Sequence, residues 1–381
     1  MNKTSFGNFK ILIGSTLACL SLMFFNCSKD NNENPEIDTP TTTISVTIYR
    51  SEFEAQGDII YNLDDSLEGI KTYVISDGNY NDYFLVDENT GEIRIQNEIL
   101  DEFNVVQEES LIITIGNNNY ELTIVDMFDY FLEQIADSKV ILDEYNETFV
   151  DLQSDWTAYN NLWGRGDAIP NQDFRIATIY DTNMPNNTVL IWDVPSRAVD
   201  YNGAAVWCYN NVFWGNRTNV REDLVGFPFQ IQTINQLKVD FDFEQLYGND
   251  QFKIAMNMFM TDESELTNFS NNDGDFFFVF DQKDTFIPNY SHTLPDIVID
   301  GKDFAVRYDL NPSTQYERRR VIIKDNQQYL NGNLDVKALF QMFIDEGFLN
   351  PQQYIYHVQF GVEVTSGWGA IRIHDLNMNY E

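Results

Sequence analysis

Cysteine is scarce in this 381-residue chain. Three residues, Cys19, Cys27 and Cys208, cannot build a disulfide framework. Histidine is as rare, and His292, His357 and His374 have no metal-ligand spacing, so the sequence implies no metal centre and no cofactor. Positive charge is also short: 23 Lys and Arg stand against 60 Asp and Glu, a net charge of −37. Such a chain repels phosphate backbones, which excludes nucleic acid as a partner. It also repels an anionic bilayer, so a membrane attachment has to come from a lipid anchor or a separate segment. Hydrophobic residues make up 43% and aromatics 14%, enough to bury a core, and the length suits two domains with connectors.

The first residues read as an address. Lys3 and Lys10 supply positive charge, and Ile11 to Phe25 is an apolar run of signal-peptide length, too short to span a bilayer comfortably. Cys27 follows directly, and Ser28-Lys29-Asp30 come next. This arrangement resembles a bacterial lipoprotein signal of the Bacteroidetes type. It implies a signal peptide over 1–26, lipidation at Cys27 and a surface-exposed outer-membrane lipoprotein. Asn26 departs from the small residue usual before that cysteine. Residues 27–43 are polar and acidic and read as a flexible tether.

From 44 to 126, short β-branched runs alternate with polar turns, which predicts a small β-sandwich. Phe84-Leu85-Val86-Asp87-Glu88-Asn89-Thr90-Gly91-Glu92-Ile93 resembles the hairpin of cadherin-like repeats, with Asp87 and Thr90 binding turn amides and Gly91 at positive φ. Cadherins bind calcium between repeats. Here there is one repeat without the acidic linker, so the module reads as a spacer. Residues 127–150 carry a helical pattern and read as a helical connector.

Residues 151–381 are dominated by strand-like runs, with one amphipathic helix over Leu334–Glu346 and Gly347 as its stop. The whole chain is therefore expected to be all-β: a small sandwich, then a jelly roll with one packed helix.

Tyr159-Asn160-Asn161-Leu162-Trp163-Gly164 and Gln359-Phe360-Gly361-Val362-Glu363 resemble signatures of glycoside hydrolase family 12, the endo-β-1,4-glucanases and xyloglucanases. The resemblance implies a concanavalin-like jelly roll that takes β-glucan or xyloglucan. The family's retaining chemistry needs two carboxylates roughly 5 Å apart. Glu363 matches the acid/base. The nucleophile position reads Phe277 and its supporting aspartate reads Asn257, two coherent losses, because an aspartate buried beside phenylalanine would be an unpaired charge. A two-residue slip offers Asp275 as a replacement nucleophile, and Asp281 shares its parity. Trp163, Asn161, Trp207, Trp214 and Trp368 are candidate sugar-binding residues, with Asn257 and Phe277 beside them.

Three readings stay open: a surface lipoprotein that binds β-glucan without cutting it, also as part of a polysaccharide-uptake complex; an active endo-glucanase using Asp275 and Glu363; and a calcium-dependent adhesion protein.

Overall fold

Apolar residues at every second position settle into strands throughout the chain. The computed structural model describes residues 43–50, 59–63, 73–77, 84–96, 108–115, 118–126, 128, 132, 140–142, 148–150, 155–170, 172–195, 206–217, 220–248, 251–264, 273–283 and 290–381. The apolar leader, Cys27 and the tether up to residue 42 lie outside the described residues, and Thr43 already belongs to a strand.

The first strands are β1 (Thr43–Arg50), β2 (Ile59–Asn62), β3 (Tyr73–Asp77), β4 (Phe84–Val86), β5 (Glu92–Ile95), β6 (Glu108–Ile115) and β7 (Asn118–Asp126). They form a four-stranded sheet in the order β1-β7-β6-β3 and a three-stranded sheet in the order β2-β5-β4. Alternation sends Leu111, Ile113, Leu122 and Ile124 of the first sheet into one core with Phe84, Ile93 and Ile95 of the second. The β4–β5 turn has the expected bonding. Asp87 Oδ1 accepts from the amides of Asn89 and Thr90, each at 2.9 Å, and Gly91 sits at φ +70°. Those amide bonds hold the Asp87 carboxyl below its ordinary pKa.

The expected helical connector is corrected. Among its described residues Phe128 and Leu132 are helical, but β8 (Val140–Leu142) and β9 (Thr148–Val150) are strands. Both join the sheets of the region that follows. Their β-branched residues find backbone partners there, and that tertiary pairing overrides local pattern.

The remaining strands are β10 (Trp156–Asn161), β11 (Arg175–Tyr180), β12 (Thr188–Val194), β13 (Cys208–Gly215), β14 (Phe229–Gln230), β15 (Leu237–Gly248), β16 (Phe252–Thr261), β17 (Gly274–Gln282), β18 (His292–Thr293), β19 (Ile297–Ile299), β20 (Lys302–Leu310), β21 (Glu317–Ile323), β22 (Asn331–Asp335), β23 (Tyr354–Val364) and β24 (Gly367–Tyr380). The larger sheet has eleven strands, with the path β18-β20-β21-β17-β16-β23-β13-β10-β9. The second has six, in the order β22-β15-β24-β12-β11-β8. The two stack as a β-sandwich of jelly-roll type. Met256, Met258, Phe276, Phe278, Phe360 and Val362 from the larger sheet meet Leu190, Trp192, Val239, Phe241 and Ile371 from the second in one core. Helix α1 (Val336–Asp345) is capped by Asp335, whose side chain accepts from the Ala338 amide at 2.9 Å. It buries Val336, Leu339, Phe340 and Phe343, and Gly347 follows it at φ +77°.

The other face of the second sheet carries Ala177, Ile179, Val189, Ile191 and Ala370, covered in part by Phe128 and Leu132. Phe128 also lies against Arg175, 4.8 Å from ring centre to guanidinium carbon, and Arg175 pairs with the fully buried Asp193.

Candidate functional site

Residues on the larger sheet alternate between the inter-sheet core and an outer face. Methionines 256 and 258 take the core side, so Lys253, Ala255 and Asn257 of β16 share the outer face. On β23 that face carries Gln359, Gly361 and Glu363, and on β17 it carries Asp275, Phe277 and Val279.

The register then sorts these residues into rows. One row runs Asn161, Tyr209, Glu363, Lys253 and Gln282, each the Cα partner of the next. A second runs Phe213, Gln359, Asn257, Phe277 and Arg320. Asn257 and Phe277 are thus brought together, as are Asn161 and Glu363 through Tyr209. Glu363 and Phe277 are not in one row.

Asp275 pairs with Phe259, whereas Glu363 pairs with Lys253, six residues earlier on β16. At ~3.3 Å per residue this offsets the Cα positions of the two acids by about 20 Å along the strand, with two strand spacings between them. A retaining pair needs roughly 5 Å and an inverting pair up to about 9.5 Å. Asp275 therefore does not stand opposite Glu363.

Asp281 does not share the outer face. A bulge between Ile254 and Ala255 of β16 breaks the alternation, and Asp281 pairs with Ile254, a core residue. Its carboxylate is fully buried and accepts from Gln328 Nε2 at 2.9 Å.

Each outer-face carboxylate is held by a cation. Lys253 Nζ lies 3.0 Å from Glu363 Oε1, with side chains 11% and 18% exposed. Arg320 grips Asp275 with two bonds of 2.6 and 2.9 Å. The forked geometry matches guanidinium to carboxylate. The Arg320 guanidinium also lies over the Phe277 ring at 5.1 Å, and Tyr209 approaches the same ring at 6.0 Å. Burial alone would lower the Arg320 pKa, but the Asp275 carboxylate outweighs it and the net direction is upward. Two phenols complete the strip. Tyr316 is raised well above its ordinary pKa by burial and then by Asp275. Tyr290 is raised by burial, and it feels the charges of Arg320, Lys253, Asp275 and Glu363 together.

Tyr209 crosses β23 to donate to the Ala255 carbonyl at 2.8 Å. Burial, then the Glu363 charge, push its pKa well up. The crossing needs little side chain beneath it, and Gly361 and Ala255 are opposite one another there.

His357 is buried at the far end of the face. Burial and then the charge of Arg217 lower its pKa to about 3. Its Nδ1 donates to the Asn216 carbonyl at 3.0 Å, and Gln359 Nε2 lies 2.5 Å from its Nε2.

The tryptophans divide. Trp163 is 44% exposed in the loop after β10. Gly164 anchors that loop: a Cβ there would meet the Val206 carbonyl oxygen at 1.8 Å. Trp207 is buried, with its indole donating to the Pro195 carbonyl at 3.1 Å and its ring 5.2 Å from Phe174. Trp214 packs among Phe227, Phe229 and Tyr380 in the inter-sheet core. Trp368 lies on the second sheet, packed against the Phe128 cluster, on the opposite side of the sandwich from Glu363. Trp207, Trp214 and Trp368 are therefore structural aromatics and do not line the outer face. The sequence alone does not single out Lys253, Arg320, Tyr290 and Tyr316. The run Glu317-Arg318-Arg319-Arg320 in so acidic a chain was the available signal.

No protein-family model matches the sequence, and no curated protein matches it. Solved structures do share the fold. The native family 12 xyloglucanase from Bacillus licheniformis aligns with a TM-score of 0.52 at 17% identity, over 64% of this chain and 100% of that one. Endoglucanase cel12A from Rhodothermus marinus gives 0.51 at 16% identity, over 64% and 99%. Endoglucanase 3 of Trichoderma harzianum, from family GH12, gives 0.50 at 16%, over 64% and 98%. At these identities the likeness is one of fold.

Proposed function

We propose that this chain is a surface-anchored lipoprotein that binds β-glucan or xyloglucan-type polysaccharide on the outer face of its larger sheet and does not cleave it. The observation that carries this reading is the pairing of each carboxylate with a cation. Glu363 faces Lys253, Asp275 faces Arg320, and the register keeps the two acids far beyond the spacing of a double displacement. Phe277, under the Arg320 guanidinium, has no nucleophilic atom.

Binding chemistry is retained. Side-by-side donors and acceptors, such as Lys253 with Glu363, suit hydroxyl groups that both give and accept hydrogen bonds. Trp163 supplies an exposed ring for stacking on a sugar face. The xyloglucanase and endoglucanases of the same fold support the choice of polysaccharide. Lys3, Lys10, the apolar run to Phe25 and Cys27 support the lipid anchor. The test is incubation of purified protein with xyloglucan, barley β-glucan and carboxymethyl-cellulose. Affinity and released reducing ends are read in parallel. Measurable binding without new reducing ends is expected. Turnover that disappears in Glu363→Gln overturns the proposal.

A further inference from the structure

The chain enters and leaves the small sandwich through two strands that pair with each other. β1 lies parallel to β7 over its whole length, from Thr43 beside Asn119 to Arg50 beside Asp126, with no shift of register. Among the described residues β1 has no other strand partner. β7 is held on its far side by β6, in an antiparallel ladder that is also unbroken. Register shifts do interrupt the β2–β5 and β3–β6 ladders of the same module.

This pairing fixes how the module meets a pull. Because β1 and β7 run in the same sense, Thr43 and Asp126 stand at opposite ends of one ladder. Tension between the chain before Thr43 and the chain after Asp126 draws the two strands in opposite directions along their own axes. The ladder bonds cross from strand to strand at even spacing, so sliding loads them together. A slip of one residue also turns every side chain of the moving strand to the wrong face. An antiparallel pair would bring both ends to one side, and its bonds would open one after another. Strands β2 to β6 hang beside the loaded ladder rather than within it. The core of Phe84, Ile93, Ile95, Leu111 and Ile113 is therefore not pulled apart until the ladder has given way.

We infer that the small sandwich is a load-bearing link, which carries tension from the chain before Thr43 to the larger sandwich through the β1–β7 ladder without lengthening. The folded ladder spans about 26 Å at ~3.3 Å per residue. Unravelled, residues 43–126 would stretch to about 300 Å. A cell that holds an immobile polysaccharide needs the first behaviour, because a link that pays out length lets the surface drift away. The inference rests on the surface-anchored, glucan-binding reading for the source of the tension, and its test is made without ligand, so the two fail separately.

Single full-length molecules are stretched between handles attached through azide-bearing residues. These replace Thr43 and Asp126 in one protein, and Thr43 and Asn118 in the other. Asn118 begins β7 at the Thr43 end, so the second pair opens the same ladder from one end instead of shearing it. Forced unfolding reads the rate of barrier crossing, and only the direction of pulling differs between the two. At one loading rate, the first protein should rupture at a severalfold higher force and release about 270 Å of chain in that event. Equal rupture forces overturn the inference, whatever the glucan assay returns. A first protein that pays out the same length in several small steps at low force overturns it as well, because the ladder then yields piecemeal. Absence of glucan binding in the affinity assay sinks the polysaccharide reading and leaves the two rupture forces unchanged.

Discussion

Lys253 stands directly across from Glu363 in the β16–β23 register, and its ammonium lies 3.0 Å from the carboxylate. The acid that the sequence marked for proton transfer thus has a cation as its neighbour. With both side chains mostly buried, removal of one partner strands the other. Lys253→Met should cost about 1–3 kcal/mol in urea unfolding. Lys253→Met combined with Glu363→Gln should recover part of that loss. A double variant as unstable as the sum of the two single ones would show that the pair is not coupled.

Asp275 is 6% exposed and is gripped by Arg320, whose guanidinium rests on Phe277. Arg320→Met leaves that carboxylate without its cation and should cost about 3–5 kcal/mol. Arg320→Met with Asp275→Asn should be markedly more stable than Arg320→Met alone, measured by thermal or denaturant melting.

His357 sets a pH dependence. In the unfolded chain it titrates near its ordinary 6.5, and in the fold burial first, then Arg217, lower this to about 3. Between those values the unfolded state binds the extra proton, so stability falls as pH drops, with a slope approaching ~1.4 kcal/mol per pH unit. Denaturant melts at pH 7, 5.5 and 4.5 should show this slope in wild type. His357→Gln should lack that part of it.

Gly361 is a steric requirement. A Cβ at this position would lie 2.0 Å from the Asn210 carbonyl oxygen and 2.6 Å from Asn211 Cβ. Backbone cannot yield as a flexible side chain does, so Gly361→Ala should cost about 2–4 kcal/mol by overpacking. A melting temperature equal to wild type would contradict the close approach of β13 and β23.

The strands β8 and β9 belong to the sandwich. β8 pairs with β11, β9 pairs with β10, and Phe128 covers Arg175 beside the buried Asp193. A chain beginning at residue 151 should aggregate, whereas one beginning at residue 127 should be soluble and melt cooperatively. Size-exclusion chromatography and circular dichroism distinguish the outcomes.

Period-two alternation determined which side chains of β16, β23 and the stretch of β17 before its bulge turn inward, because burial of Met256, Phe276 and Phe360 leaves one choice of face. The 3.6-residue stripe and Asp335 located α1, and Asp87 and Gly91 located a turn, since these are local energies of a few residues. Spacing could not decide the row. Sliding a strand by two residues keeps every face and changes every neighbour, so only tertiary pairing put Lys253 beside Glu363, whereas the motif resemblance already implied Phe277 beside Asn257. The bulge that turns Asp281 inward and the 45-residue separation from Asp275 to Arg320 are of the same kind. They arise when distant strands dock, and no local preference encodes them.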